Sequence, residues 1–515
     1  DKITKSIFIT RRCLTNNRYR TLPFQTINNT VSNISAIEPK ELWKNFDALN
    51  AVPRPSKKEE RVIQFMKKYG ETLGLETMVD HIGNVIIKKP ATAGMEDRQT
   101  IVMQSHLDMV HQKNADTIFD FDTEGIRMII DGDWIHAEGT TLGADNGIGV
   151  ASIMAILESK TIEHPAMEAL FTIDEETGMT GALELKGGFL TGTILLNLDT
   201  EDDNELTIGC AGGIDITATG TYKEEDMPAD HTPYTIRISG LNGGHSGMDI
   251  HKGLGNANKI MNRILHMLDH EVRICVSSID GGSVRNAIPR ESSALITVPT
   301  AQVETMEEYA VNLASVIISE YSYTDNDLEI EISQTVGNPK VMDDHSQINL
   351  IHALYACPNG IYRMSPTIKG LVQTSNNLAR VIVGDGSFTA MCLCRSSVDT
   401  EKMDEVNMIH SIFAMIGAQV ELSGTYPGWA PNPDAEIIET MRNIYVDMFK
   451  EEPHVNACHA GLECGIIGTN YPDMQMISFG PNIRGAHSPD EKVQISSVQK
   501  YWKYLMKVLK EIPKK

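Results

Sequence analysis

The sequence predicts an α/β protein: a central, mostly parallel sheet covered by helices, with a second α+β unit inserted into it. Three observations lead there. Short, continuously apolar runs alternate with helical patterns through the first 200 residues, as in a sheet buried on both faces. After about Ala211 the runs alternate apolar with polar, as strands wet on one face do. The earlier habit returns from about residue 425.

Residues 59–69 (EERVIQFMKKY) form an amphipathic helix. Residues 84–88 (NVIIK) and 100–104 (TIVMQ) are short apolar runs rich in β-branched residues, hence strands. Residues 147–157 (GIGVASIMAIL) make a helix apolar nearly all round, which must be buried. Residues 169–173 and 194–198 are two more apolar strands. Within the insertion, 234–241 (YTIRISGL) is an alternating strand and 254–269 a helix. Strands near 292–298, 328–334, 379–384 and 388–396 and a helix near 304–319 follow. The closing part holds a helix near 434–449, a strand at 474–479 and a terminal helix from about 490, opened by Ser488–Glu491 as a capping box. The domain plan is therefore an N-terminal extension (1–35), a first domain in two parts (36–212 and 425–515), and the insertion (213–424).

Composition removes several classes of function. The 515 residues carry a net charge of −24, which repels phosphate backbones and anionic lipid, so neither nucleic acid nor a membrane surface is an expected partner. No apolar stretch reaches the length of a membrane-spanning helix. Eight cysteines without a CxxC pair fit a reducing compartment, and Cys392 and Cys394 read as packed hydrophobes. Residues 1–35 stand apart: Lys2, Lys5, Arg11, Arg12, Arg18 and Arg20 face one acid, Asp1, among many Ser, Thr and Asn. That composition suits an organelle-targeting segment of mitochondrial type, an alternative to a cytoplasmic location.

The chemistry gathers at strand ends, where ligands of open α/β sheets bind. The 100–104 strand runs into His106 and Asp108, the 169–173 strand into Glu175 and Glu176, the 194–198 strand into Asp199, and the 474–479 strand into a Gly/Pro-rich loop bearing His487. Asp145 sits in a Gly-rich loop that opens the buried helix. Carboxylates delivered by buried strands need a cation. His106, Asp145, Glu176, Asp199 and His487 form a nitrogen–oxygen set without thiolate, suited to one or two divalent ions such as Zn, Co or Mn. Asp108, two residues from His106, can accept its second imidazole N–H. Glu175, beside a ligand but pointing elsewhere, is placed as a general base.

The segments SHLDMV, TLGADNGIG, DEETGMTGA, LNLDTED, GGHSG, HAGLECG and GAHSPDE, in this order, resemble the M20 metallopeptidase family and its aminoacylhistidine-dipeptidase branch. The resemblance implies two divalent ions, Zn in the first instance. One would be held by His106 and Asp199 and the other by Glu176 and His487, with Asp145 bridging. It implies that Glu175 is the base, that Asp108 orients His106, and that a metal-bridged hydroxide cleaves dipeptides of Xaa-His or broader type. The inserted unit would be a lid whose His245 polarises the scissile carbonyl, and two copies would pair through it. Asn286 and Arg395 are candidates for the substrate carboxylate and Glu463 for its amine, while His459 reads as a packing group. The alternative on the same scaffold is an N-acyl amino acid deacylase or an aminopeptidase.

Overall fold

The computed structural model describes residues 6–9 and 34–515. The targeting reading of residues 1–35 therefore lies almost wholly outside the described residues. The chain divides into two compact units. One comprises residues 34–210, 429–457 and 462–515; the other comprises 6–9, 211–428 and 458–461.

The first unit is built on an eight-stranded sheet among the described residues. Its order is Glu76–Val79, Val85–Lys89, Met167–Thr172, Ile101–His106, Ile194–Asn197, Gln475–Ser478, Glu205–Cys210, His454–Cys458. Only the middle of this sheet is parallel. Met167–Thr172, Ile101–His106, Ile194–Asn197 and Gln475–Ser478 run together, while the pairs next to them are antiparallel. The sequence reading "mostly parallel" is thus true of the four central strands alone. Those strands are the continuously apolar ones: every residue of Ile101–His106, Met167–Thr172 and Ile194–Asn197 is buried. Flanking strands can pair antiparallel because one face or edge is less deeply covered.

Helix Ala144–Glu158 packs on strand Ile101–His106 and on helix Lys40–Asn50. Its buried Ile148, Ile153 and Ile156 explain why the segment is apolar all round, each side chain contributing roughly 1.5–3 kcal/mol by burial. The C-terminal helix starts later than its composition suggests, at Ile495, because Lys492–Gln494 pair as a strand with Trp134–Ala137. Ser488–Glu491 is therefore not a capping box, and the cap position is Gln494.

The second unit holds, among the described residues, a ten-stranded antiparallel sheet. Along His231–Ser239, Tyr234, Ile236 and Ile238 are buried while Arg237 faces water. The buried row packs in one core with Ile260, Ile264 and Leu265 of helix Ala257–Val272, Met306 and Ile317 of Val303–Glu320, and Val406, Ile409 and Phe413 of Asp399–Met415. Cys392 and Cys394 lie in the same core. Strand Ser6–Ile9 pairs at one edge with Glu329–Gln334.

Candidate metal centre

Parallel pairing sets the strand ends of the first unit side by side. His106 ends its strand, 1% exposed, and its ring nitrogens face carboxylates on both sides. Nδ1 lies 3.3 Å from Asp108 Oδ1, while Nε2 lies 3.2 Å from Asp145 Oδ1 and 3.5 Å from Asp199 Oδ1. His487, at φ +63° and 57% exposed, approaches from the C-terminal loop. Its Nε2 lies 3.2 Å from Asp145 Oδ2 and 3.0 Å from Glu176 Oε2. The two oxygens of Asp145 thus each face a different imidazole. His106, Asp145 and Glu176 also offer ligand atoms within 4.8 Å of one another.

The supporting bonds run inward. Asp108 accepts from the backbone N–H of Glu175 and Glu176 (3.0 and 3.2 Å) and from Ser56 Oγ (2.8 Å). It therefore fixes the short helix Glu175–Gly178 as well as the His106 ring. Asn146 donates to Leu198 O (2.7 Å) and to the Asp199 carboxylate.

The electrostatics are those of carboxylates crowded around two imidazoles. Burial would lower His106, but Asp199, Asp108 and Asp145 raise it well above the ordinary range. Hydrogen bonds to Asp145 and Glu176 push His487 up to about 11. Burial, joined by Asp199 and Glu176, raises Glu175 strongly, and burial with Asp145 raises Glu176. The Nε2 of each imidazole faces two carboxylate oxygens at distances where either a proton or a metal ion must sit between them. The donors are nitrogen and oxygen only, and the acids outnumber the bases, so the set fits divalent ions of the Zn, Co or Mn type. A second acidic group, Glu59, Asp108 and Asp174, lies beside it. There Lys57 Nζ pairs with Asp174, which already supplies a cation.

The profile of Peptidase family M20/M25/M40 matches residues 102–511. The chain belongs to that peptidase family. It is 41% identical over 485 residues to the cytosol non-specific dipeptidase of Escherichia coli K12, covering 94% of this chain and all of the relative. The crystal structure of an aminoacylhistidine dipeptidase from Vibrio alginolyticus superposes with a TM-score of 0.88 at 43% identity, covering 94% of this chain and 99% of that one. The aminopeptidase PepT of Bacillus cereus, at 17% identity and a TM-score of 0.54 over 92% of this chain and 99% of that one, shares the fold.

Glu463 lies in this unit. It is fully buried, and its Oε2 accepts from Gln104 Nε2 and Thr172 Oγ1, both at 2.6 Å. Its other oxygen is buried without a hydrogen-bond partner. His245, Asn286 and Arg395 lie together in the other unit. His245 pairs in register with Ala287, next to Asn286, whose carbonyl accepts from Ser246 N–H at 2.8 Å. Asn286 is exposed, and Arg395 is buried with Nη1 donating to the Tyr426 hydroxyl at 2.9 Å. His245 Nδ1 accepts from the amides of Gly247 and Met248 (3.2 and 3.0 Å), so its ring proton resides on Nε2. His459 is a buried neutral ring, pushed down to about 3 by burial and Arg395, with Nε2 2.7 Å from Ser375 Oγ.

Two residues beside the centre escaped sequence reasoning. Arg54 is a lone arginine in a Pro-flanked loop, yet it is 1% exposed and bonded to backbone on both ligand-bearing segments. Glu491 accepts the backbone N–H groups of 142–145. Nothing in the local sequence marked Arg54, which stands between two prolines just ahead of Lys57 and Lys58; the signal for Glu491 was its nearness to His487.

Proposed function

We propose that this M20 peptidase is a dinuclear metallodipeptidase acting on Xaa-His or a broader set of dipeptides. The observation that carries the reading is Asp145, with one carboxylate oxygen toward His106 and the other toward His487. In it, His106 and Asp199 hold one ion, His487 and Glu176 the other, and Asp145 both. Divalent ions bound there supply Lewis acidity for the scissile carbonyl and lower the pKa of water. Glu175, a carboxyl pushed upward by burial, is suited to take the proton of the attacking water and return it to the leaving amine. Asp108 holds the His106 ring in orientation. Glu463 takes the substrate ammonium on its unpartnered oxygen, and Asn286 and Arg395 take the carboxylate. His245 is supported as a donor to the carbonyl oxygen by its Nε2 proton.

Zinc is the metal we assign first, and elemental analysis identifies it. The similarity to a dipeptidase named for the cytosol supports a cytoplasmic location, which cell fractionation tests. Pairing of two copies through the unit around 211–428 belongs to the same reading and is measured by sedimentation. The deciding experiment combines elemental analysis with hydrolysis of Xaa-His and other dipeptides, tripeptides and N-acyl amino acids, before and after chelation. Turnover of dipeptides that chelation abolishes is the expected result. Turnover of acyl amino acids or tripeptides alone would favour the deacylase or aminopeptidase alternative.

A further inference from the structure

Asp145 belongs to a backbone segment, 142–145, that is gripped from two sides by buried ions. On the amide side stands Glu491, 2% exposed. Its Oε2 accepts the N–H of Leu142 and Gly143 (2.7 and 2.9 Å), and its Oε1 accepts those of Ala144 and Asp145 (2.7 and 3.2 Å). Successive amides converging on one anion form a nest, which in turn requires left-handed backbone; Gly143 supplies it at φ +70°. On the carbonyl side stands Arg54. Its Nη2 donates to Gly143 O (2.6 Å) and Asn50 Oδ1 (3.1 Å), and its Nη1 to Leu107 O (3.0 Å) and Asp108 O (2.9 Å). All four bonds go to neutral oxygens, so this cation is spent on joining the segment of His106 and Asp108 to that of Asp145. Asn50 Nδ2 adds a bond to Leu142 O at 3.0 Å. Space at Gly143 is also closed, since a Cβ there would lie 2.5 Å from Arg54 Nη2.

We propose that Glu491 and Arg54 are positioning residues that lock segment 142–145 so that each Asp145 oxygen meets its own imidazole. Glu491 lies four residues after His487, so one loop both presents an imidazole and anchors the carboxylate facing it. A carboxylate suits this task because its two oxygens carry enough lone pairs for four N–H groups. A glutamine keeps one such oxygen and sets its own N–H groups against two of the amides. Lysine at 54 keeps the charge but loses the planar fork that spans two segments. The proposal rests on Asp145 as the shared ligand, and the test separates the two ideas.

Metal-free enzyme is titrated with Co²⁺ against a competing chelator, and the visible spectrum of the Co²⁺ form is recorded. The proteins are wild type, Asp145→Asn, Glu491→Gln, Arg54→Lys and Leu505→Ala; Leu505 is a fully buried core residue that controls for lost stability. Glu491→Gln and Arg54→Lys are expected to bind Co²⁺ at least about tenfold more weakly and to alter its spectrum. Leu505→Ala should leave both unchanged despite a lower melting temperature. Wild-type affinity and spectrum in Glu491→Gln, or in Arg54→Lys if the former does not fold, overturn the clamp. Wild-type affinity for two ions in Asp145→Asn overturns instead the reading of Asp145 on which it rests.

Discussion

Replacing Glu463 by glutamine tests whether a buried carboxyl beside the metal centre is carried at a cost until substrate arrives. Burial pushes this group up to about 8, from 4.5 in an open chain. A carboxyl raised on folding contributes stability that is complete below about pH 4.5 and is lost as pH climbs through about 8. Each pH unit in that window is worth about 1.4 kcal/mol, so the full loss is roughly 3–5 kcal/mol. Glutamine matches the neutral acid in shape, and its carbonyl oxygen can still accept from Gln104 and Thr172. In metal-free protein the variant should therefore match wild type at pH 5 to within about 1 kcal/mol. At pH 8 it should be the more stable, with a melting temperature higher by on the order of 10 °C. Scanning calorimetry from pH 5 to 8 reads this directly, and parallel pH profiles for the two proteins would refute the reasoning. With ions bound, loss of the ammonium partner should raise KM for dipeptides about tenfold or more and leave kcat nearly unchanged.

Other outcomes follow from the same geometry. Glu175→Ala should retain its metal ions by elemental analysis yet lose about 10²–10⁴ in kcat, because it removes a base and no ligand; unchanged turnover would contradict the role. Asp145→Ala should be purified without either ion, and two ions per chain would contradict bridging. Chelation should lower the melting temperature, since ions at about a hundredfold excess over Kd stabilise the native state by about 2.7 kcal/mol; calorimetry with and without chelator measures it.

The centre was legible in sequence because parallel strands end together. His106 ends one wholly buried strand, Glu175, Glu176 and Asp199 follow two others, and such strands stand out as apolar runs. His487 sits on a loop and Asp145 in the first turn of helix Ala144–Glu158, and both were placed by motif rather than by periodicity. Ser488–Glu491 has the spacing of a helix cap, and nothing local tells that Lys492–Gln494 will pair with Trp134–Ala137. Glu491 accordingly serves amides some 350 positions away in sequence. Helix Asp399–Met415 was missed because its apolar residues are spread beyond one face, with Met403, Met408 and Met415 exposed while Val406, Ile409 and Phe413 are fully buried. The antiparallel flanks of the central sheet were equally silent, since strand direction is set by tertiary pairing.

The loop after Gln475–Ser478 brings His487 to acidic groups, and Glu491 to backbone amides, laid down hundreds of residues earlier. A nascent polypeptide halted anywhere short of these two positions carries Asp145 with no second imidazole and with its amides ungripped. If His487 is a ligand as proposed, chains terminated or clipped before it are expected to be inert as hydrolases. On the proposed ligand set, cleavage of peptides waits for translation past Glu491.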